Sequence, residues 1–301
     1  MLIYSSFEGE VISVVTAALL LVLCSGLTHA IWNLFTKRSL NKSVFLWSIH
    51  IAATVLLLPY FIYELFHMEI TGSFLLLVFF SMSFQGGYFI FLSRAYSYGD
   101  MSQVYPIMRG TGAFFVPVMS VLVFGESLSP IGWIGLCCIV GGLFAISGFF
   151  GKREIRENKE RSIASKAVLS ALAVGFCITG YTLLDKQLVQ NMSPFALIEI
   201  SNISYVIFST FAVMKSKQIK QEWQVNWRTI MIGTFLAPGS YVLFLFAMKL
   251  APLASIAPIR EVGTVFGTLL GVFLLKEQNG LLRVIMSSVI TIGIISIALM
   301  G

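Results

Sequence analysis

The sequence predicts an all-α membrane protein in which ten transmembrane helices form two inverted five-helix repeats. The prediction rests on an apolar composition, on ten long apolar runs and on a match between the two halves of the chain. Of the 301 residues, 57% are hydrophobic and 11% are charged, whereas about 25% of the residues of a soluble domain are charged. A soluble fold of this length cannot hide so much apolar surface, so the lipid bilayer is an expected partner.

Ten apolar runs are each long enough, at roughly 20 residues or more, for a helix to cross the hydrocarbon core of a bilayer. The gaps between them are short, which predicts that neighbouring helices are antiparallel. The longest gap divides the chain into a first repeat over 1–150, a cytoplasmic linker over 151–165 and a second repeat over 166–301. The predicted spans are 11–35, 44–64, 72–93, 103–124, 129–150, 166–185, 194–214, 228–248, 255–275 and 281–300.

The two halves share an ordered set of residues at a nearly constant separation. Residues 26–37 (GLTHAIWNLFTK) align with residues 175–186 (GFCITGYTLLDK) at an offset of 149. Further along, the offset becomes 152, as shown by Gly87 and Gly239, Ala95 and Ala247, and Pro106 and Pro258. Because each repeat holds an odd number of helices, the second must enter the membrane in the opposite sense. Inverted repeats of this kind place a binding site at their interface.

The positions of lysine and arginine predict the orientation, because cytoplasmic loops carry an excess of these residues. Of the 20 such residues, sixteen lie in or beside the gaps that join helices 1–2, 3–4, 5–6, 7–8 and 9–10. Only Lys186 and Lys249 lie on the other side. The linker is therefore expected in the cytoplasm, with both termini outside a plasma or inner membrane.

Several functional classes find no support in the sequence. The net charge of +6 comes from these scattered gap residues, so no nucleic-acid partner is expected. The four cysteines lie inside apolar runs without a CxxC motif, so neither a metal nor another cofactor is expected. No nucleotide-binding P-loop and no hydrolase motif is present, and the sequence predicts a protein that is not an enzyme.

Three charged residues inside predicted helices mark the first candidate site. An ionisable residue at the centre of a membrane helix costs about 2.5–3.5 kcal/mol on insertion scales and is a functional hypothesis by default. Two Pro-Ile segments open predicted helices 4 and 9 and are followed by Arg109, Arg260 and Glu261. We expect the arginines to bind an anionic group of a substrate, with Glu261 balancing them or binding an ammonium group. The alternative is that an arginine pairs with Glu261 and holds the repeats together.

Polar and aromatic residues complete the expected substrate site. Predicted helix 1 places His29 and Asn33 on one face, and predicted helix 7 places Glu199 and Asn202 on one face. Glu199 and His29 are the candidates for proton coupling, whereas His50 is expected to be a buried hydrogen-bonding residue without a counterpart in the other repeat. The remaining residues expected to bind substrate are Trp32, Gln85, Tyr88, Tyr181 and Tyr241.

These motifs resemble those of the EamA-like family of the drug/metabolite transporter superfamily over nearly the whole chain. The resemblance is carried first by Gly26-x2-His29-Ala30-x-Trp32-Asn33-x3-Lys37 and by Ala95-Tyr96 followed by Pro106-Ile107. It is carried further by Gly125-Glu126-x-Leu128, Gly132 and Gly141-Gly142, and in the second half by Ala247, Pro258 and Lys276-Glu277. The start of the motif is similar to a subgroup of permeases, some of them associated with phosphonate use.

The resemblance implies a central cavity lined mainly by helices 1, 3, 4, 6, 8 and 9, and transport of amino acids, nucleotide sugars or related metabolites. It also implies cytoplasmic termini, whereas the charge distribution predicts the reverse. We therefore expect a secondary transporter of a small polar metabolite, an amino acid or related zwitterion or anion, that works by alternating access. A carrier of phosphorylated or phosphonate metabolites, a membrane enzyme acting on lipid, and a scaffold or sensor remain alternatives, and homodimer formation is left open.

Overall fold

The protein is built from α-helices throughout the part of the chain that the structure describes. The computed structural model describes residues 2–98, 101–146, 158–266 and 280–300. The helices of this part, numbered in chain order, are α1 (Leu2–Arg38), α2 (Lys42–His67), α3 (Gly72–Tyr98), α4 (Met101–Phe124), α5 (Pro130–Ile146), α6 (Asn158–Asn191), α7 (Pro194–Ser216), α8 (Ile219–Leu250), α9 (Leu253–Ile259) and α10 (Gly280–Met300).

Seven helices of the described ranges, α1 to α4 and α6 to α8, contain a segment long and apolar enough to cross a membrane. Two further helices carry shorter apolar segments, Pro130–Ala145 in α5 and Ile285–Met300 in α10. Large apolar side chains cover the outer surface, and Phe66 and Phe211 are 84% and 81% exposed. A surface of this kind needs lipid around it, so the chain is an integral, multi-pass membrane protein.

The helix boundaries differ from the sequence prediction in three places. Residues 158–165, predicted to be linker, form the first turns of α6, and residues 151–157 lie outside the described part. Helix α8 begins at Ile219, not at residue 228, and has a kink at Asn226. In the predicted ninth span, α9 ends at Ile259 with Pro258 near its end, and helix resumes only over 262–266. The rest of that span, 267–275, lies outside the described residues.

The second helix of each half begins in the same way. The Asn41 side chain caps α2 by accepting hydrogen bonds from the backbone N–H groups of residues 43 and 44, and Ser193 caps α7 by accepting one from that of residue 196. Each capping residue also donates its own backbone N–H to a carboxylate of the other half. Asn41 donates to Glu222 at 2.7 Å, and Ser193 donates to Glu64 at 2.5 Å. These bonds satisfy donors that a helix start otherwise leaves unpaired.

The two halves are interleaved, so that each helix packs mainly on helices of the other half. Helix α1 packs on α8, and the equivalent pair, α6 and α3, packs in the same way. Three other pairs join a helix to its own counterpart, namely α2 with α7, α4 with α9 and α5 with α10. Contacts between counterparts occur where a pseudo-twofold axis passes between them. The central core therefore belongs to both halves.

Small residues allow the same close helix crossing on both sides of this axis. A Cβ atom added to Gly26 of α1 would lie 2.9 Å from the backbone N of Gly263, and one added to Gly263 would lie 2.7 Å from the carbonyl O of Gly26. In the equivalent crossing, a Cβ added to Gly175 of α6 would lie 3.1 Å from the carbonyl O of Met108. Such approaches leave no room for larger side chains.

Candidate functional site

Arg109 and Glu261 form a buried ion pair at the centre of the molecule. The two residues are 152 positions apart, which is the repeat offset. Arg109 Nε donates to Glu261 Oε2 at 3.1 Å, and Arg109 Nη2 donates to Glu261 Oε1 at 2.5 Å. This two-point geometry is the strongest arrangement of a guanidinium on a carboxylate. Because equivalent residues touch, the pseudo-twofold axis passes between them.

A second contact between equivalent residues lies on the same axis. His50 Nδ1 and Asn202 Oδ1 are 2.9 Å apart and are also separated by 152 positions. Asn202 Nδ2 in turn donates to Glu199 Oε2 at 3.1 Å, while Glu199 Oε1 finds no hydrogen-bond partner among the described residues. His50 is a buried hydrogen-bonding residue, as expected. The expectation that it has no counterpart is wrong, since Asn202 is both its counterpart and its partner.

A cavity surrounds this axis. Its walls come from α1, α2, α3, α4, α6, α7, α8 and Arg260. Helices α2 and α7 therefore contribute to the wall in addition to the helices that were expected. The lining residues are His29, Trp32, Leu46, His50, Tyr88, Phe89, Leu92, Arg109, Tyr181, Ile198, Ser201, Tyr205, Ala237, Pro238, Ser240, Tyr241 and Arg260.

Aromatic rings form much of the cavity wall. The rings of Tyr88 and Tyr181 are 6.1 Å apart, those of Tyr181 and Tyr241 are 5.9 Å apart, and those of Tyr88 and Tyr205 are 6.1 Å apart. Trp32 donates from Nε1 to Ser240 Oγ at 3.3 Å, and this contact is the repeat equivalent of the one between Tyr181 and Tyr88. Such a wall offers π faces to a cation and hydroxyl groups to a polar solute.

Arg260 supplies a positive charge that is not neutralised by direct contact. Its guanidinium lies over the rings of Phe244 and Tyr241, at 4.5 Å and 5.2 Å from their centroids, and its Nε donates to Ser25 Oγ at 3.2 Å. Within the described part of the chain, no carboxylate lies within 4.0 Å of it. Arg260 is the first residue after the end of α9, where the helix is interrupted, and it is only 7% exposed.

The halves seen in the structure correspond to a known sequence family. The model of the EamA-like transporter family matches the chain twice, over residues 16–148 and 165–299. The chain belongs to the EamA-like transporter family. A solved crystal structure, 13% identical, superposes with a TM-score of 0.71 over 94% of this chain and 99% of the other. At that identity the likeness shows a shared fold, and family membership indicates a membrane transporter of the drug/metabolite type.

Seven of the ten residues expected to bind substrate line the cavity of this EamA-like protein. The other three do not line it. Asn33 donates from Nδ2 to the carbonyl O of His29 at 2.8 Å, and Gln85 donates from Nε2 to Ser81 Oγ at 3.0 Å. Glu261 lines an adjoining cavity together with both arginines. The seven lining residues are His29, Trp32, Tyr88, Arg109, Tyr181, Tyr241 and Arg260.

A carboxylate that is not among the residues expected from the sequence is bonded to the cavity-lining Tyr241. Asp185 is 0% exposed, and its two oxygens accept hydrogen bonds from Ser81 Oγ and Tyr241 Oη, each at 2.6 Å. Asp185 is the last residue of the predicted sixth span and is followed by Lys186, a position at the membrane boundary. Its only sequence signal is an acidic residue at the end of an otherwise apolar run.

The two ends of the cavity differ. At the end where α1 leads into α2, a second cavity lined by residues such as Thr36, Asn41 and Ser97 shares Leu46, Phe89 and Leu92 with the central one. At the end where α8 leads into α9, polar contacts tie the helices together. We call these contacts the Glu126–Lys186 seal.

The Glu126–Lys186 seal joins four helices of the EamA-like fold. Glu126, which follows α4, accepts hydrogen bonds from the backbone N–H groups of Leu253 and Ala254 at 3.0 Å and 2.7 Å. Lys186 of α6 lies 3.8 Å from Glu126 and donates to the carbonyl O atoms of Met248 and Ala251 at 2.7 Å and 3.1 Å. The carboxylate thus binds the start of α9, and the ammonium group binds the end of α8, as the helix dipoles favour.

Proposed function

We propose that this EamA-like protein is a secondary transporter that carries a small polar metabolite, either an amino acid or a related zwitterion or anion, by alternating access. The observation that carries the proposal is Arg260. It is a buried guanidinium in a cavity between two repeats, without a carboxylate partner among the described residues. A buried charge without a partner is unfavourable, so the site is suited to a ligand that brings the missing negative charge.

The balance of charge favours a ligand with one negative group. Arg109 and Glu261 already neutralise each other in their two-point contact, which leaves Arg260 as the uncompensated charge of this trio. A carboxylate matches one guanidinium in charge and in geometry. A doubly charged phosphate would leave part of its charge unpaired unless Glu261 released Arg109.

The aromatic wall suits the other end of a zwitterion. An ammonium group binds favourably over the face of an aromatic ring, particularly where water is excluded. In this proposal Trp32 and the tyrosines at 88, 181 and 241 surround the ligand while Arg260 binds its carboxylate. His29 lines the same cavity. Asn33 donates a hydrogen bond to the backbone carbonyl O of His29, and Gln85 donates one to Ser81, a partner of Asp185.

We further propose that the chain forms ten membrane spans arranged as inverted repeats over 1–150 and 166–301, joined by the segment 151–165. The lysine and arginine distribution supports a plasma or inner membrane with this segment in the cytoplasm and both termini outside. In that orientation the end of the cavity that continues towards Thr36 and Ser97 faces the cytoplasm, and the Glu126–Lys186 seal faces outwards. Transport then requires that the seal opens while the cytoplasmic end closes.

A thermal-unfolding screen of the purified protein tests the proposed ligand class. A ligand present at a hundredfold excess over its dissociation constant stabilises the folded state by about 2.7 kcal/mol. The panel contains amino acids, phosphonates, nucleotide sugars and polyamines, and it is run on the wild type, on Arg260→Gln and on Arg228→Gln. The last is a matched control, because Arg228 also lies over an aromatic ring, that of Trp227 at 5.3 Å, but does not line the cavity.

We expect one class of carboxylate-bearing solutes to raise the unfolding temperature of the wild type and of Arg228→Gln but not that of Arg260→Gln. An equal shift in all three proteins would exclude Arg260 from the site. One observation supports the alternative of a phosphonate carrier, namely that both arginines line the cavity, and a response to phosphonates alone would select it. If no class produces a shift, the scaffold or sensor alternative gains support.

A further inference from the structure

Asp185 carries a feature that substrate binding does not explain. It is a fully buried carboxylate, and no lysine, arginine or histidine of the described residues lies within 4.0 Å of it. Burying an ionised carboxylate without a cation is costly. Packing alone does not account for the residue either, because an apolar side chain would fill the same space without this cost.

The hydrogen bonds of Asp185 suit both of its charge states. Ser81 Oγ and Tyr241 Oη lie 2.6 Å from its two oxygens. A hydroxyl group can donate or accept a hydrogen bond. The hydroxyls therefore donate to Asp185 when it is ionised, and one of them can accept from it when it is protonated. A proton can then bind and leave without a rearrangement of the surrounding helices.

Tyr241 connects this carboxylate to the cavity. Its hydroxyl group contacts Asp185, whereas its ring lines the cavity and lies under the guanidinium of Arg260. A ligand bound by Arg260 would therefore lie beside the side chain that holds the proton site. On its other side, Asp185 is adjacent in sequence to Lys186 of the seal. The carboxylate is thus placed between the ligand site and the closed end of the cavity.

The other charged and titratable groups around Asp185 are engaged elsewhere or are tyrosines. On neighbouring helices, Arg109 binds Glu261, and Lys186 points to Glu126 and to backbone carbonyl groups. From α6 and α7, Tyr181 and Tyr205 act on it electrostatically at longer range. From α3 the neutral side chain of Ser81 bonds it, and Ser81 in turn accepts a hydrogen bond from Gln85.

We propose that Asp185 is the proton-binding site that couples transport to proton movement. The inference rests on the proposed transport function and identifies the proton as the coupling ion of that transport. The proton enters from the aqueous cavity through the Tyr241 hydroxyl, binds a carboxylate oxygen of Asp185, and leaves by the same atoms after the cavity has changed the side to which it opens. Of the two proton-coupling candidates expected from the sequence, His29 lines the cavity itself. Glu199 does not line it and accepts a hydrogen bond from the Asn202 amide, whose oxygen contacts His50; an amide is a poor proton carrier.

Infrared difference spectroscopy of the full-length protein in lipid vesicles, between acidic and alkaline buffer, tests the assignment without a substrate. We expect a band of a protonated carboxyl group at acidic pH that is present in the wild type and in Glu199→Gln and absent in Asp185→Asn. Ser81→Ala should retain the band but move its frequency, because a hydrogen bond to the carboxyl group is lost. The Ser81 variant, which leaves Asp185 intact, keeps the test informative if Asp185→Asn does not fold.

Three outcomes would overturn the proposal. They are the absence of a titrating carboxyl band, a band that survives Asp185→Asn, and a band unchanged in frequency by Ser81→Ala. In a further experiment, the same infrared band is measured after addition of sodium chloride at constant pH, with potassium chloride as the control. An Asp185-dependent response to sodium would assign the site to that ion instead. Because the band needs no solute, a titrating Asp185 in a protein that binds nothing in the thermal screen would refute the transport function alone.

Discussion

Arg109 and Glu261 occupy equivalent positions of the two repeats and bind each other through two hydrogen bonds. From the sequence alone, this pairing is only an alternative to substrate binding. An ion pair formed by symmetry-related residues must lie on the axis that relates them, so it joins the halves where α4 meets α9. The pair therefore joins the two halves beside the cavity, and Arg260, which has no carboxylate partner among the described residues, remains available for a ligand.

The first prediction concerns this pair. Arg109→Glu and Glu261→Arg each place like charges together in a buried position, and each should destabilise the protein by about 3–5 kcal/mol, as breaking other buried ion pairs does. The double variant restores opposite charges at equivalent positions and should recover most of that loss. Thermal unfolding of the four proteins gives the coupling energy directly. A double variant that is less stable than either single variant would show that the two positions are not interchangeable.

The parts of the fold that depend on local sequence patterns were predictable. Apolar runs predicted the helices, and the offset of 152 predicted which residues correspond. The break between Ile259 and residue 262 was not predicted, because a proline such as Pro258 commonly opens a helix, whereas here it lies near the end of one. The early start of α8 was missed because the polar residues of its first turns resemble those of a loop.

The site was predictable where an isolated polar residue interrupts a long apolar run, as Arg109 and Arg260 do. Asp185 was missed because it stands beside Lys186 at the end of such a run. Its burial depends on Ser81 and Tyr241, which are 104 and 56 positions away. His50 was not expected in the site because its equivalent in the second repeat, Asn202, is a different type of residue, so the correspondence is not visible in the sequence. Contacts at such separations follow from helix packing and cannot be read from local sequence.

The second prediction concerns the close crossing of α1 with residues 262–266. Gly26→Ala should destabilise the protein by about 1–3 kcal/mol, because its Cβ would lie 2.5 Å from Val262 Cγ1 and 2.9 Å from the backbone N of Gly263. Gly239→Ala is the control, since nothing lies within 4 Å of the added atom. Denaturation of both variants in the same detergent checks the difference, and equal stability would contradict the crossing.

The third prediction separates the charge of Arg260 from its shape. Lysine retains the charge but loses the planar fork and the stacking on Phe244 and Tyr241. We expect Arg260→Lys to bind the ligand found in the thermal screen about tenfold more weakly, a difference of about 1.4 kcal/mol, and Arg260→Gln to show no binding. Isothermal titration measures both values. Equal affinity of the lysine variant would mean that charge alone is recognised.

The fourth prediction concerns the Glu126–Lys186 seal. A single cysteine at Ser201, on the cavity wall, is introduced after Cys24, Cys137, Cys138 and Cys177 have been replaced by alanine. A membrane-impermeant thiol reagent should label it from the cytoplasmic side, and from outside only when Lys186→Met is added, because that change removes the contacts to Glu126 and to α8. Lys249→Met, an exposed lysine at the same end, is the matched control and should leave outside labelling low.

Strong labelling from outside with Lys186 intact, or labelling that Lys249→Met increases equally, would contradict the seal. Labelling from outside alone, before any change at Lys186, would instead reverse the proposed orientation. These two results are distinguishable because whole cells expose only the outer face and inside-out vesicles expose only the cytoplasmic face.

The most direct test of the central claim is uptake by proteoliposomes of the solute that stabilises the protein most in the thermal screen. Counterflow exchange measures carriage of the solute without requiring an ion gradient. We predict exchange by the wild type and by Arg228→Gln, and a loss of at least about tenfold in Arg260→Gln. Exchange that is equally fast in Arg260→Gln, or no exchange by the folded wild type of a solute that it binds, would contradict a transport site organised by Arg260 between the two repeats.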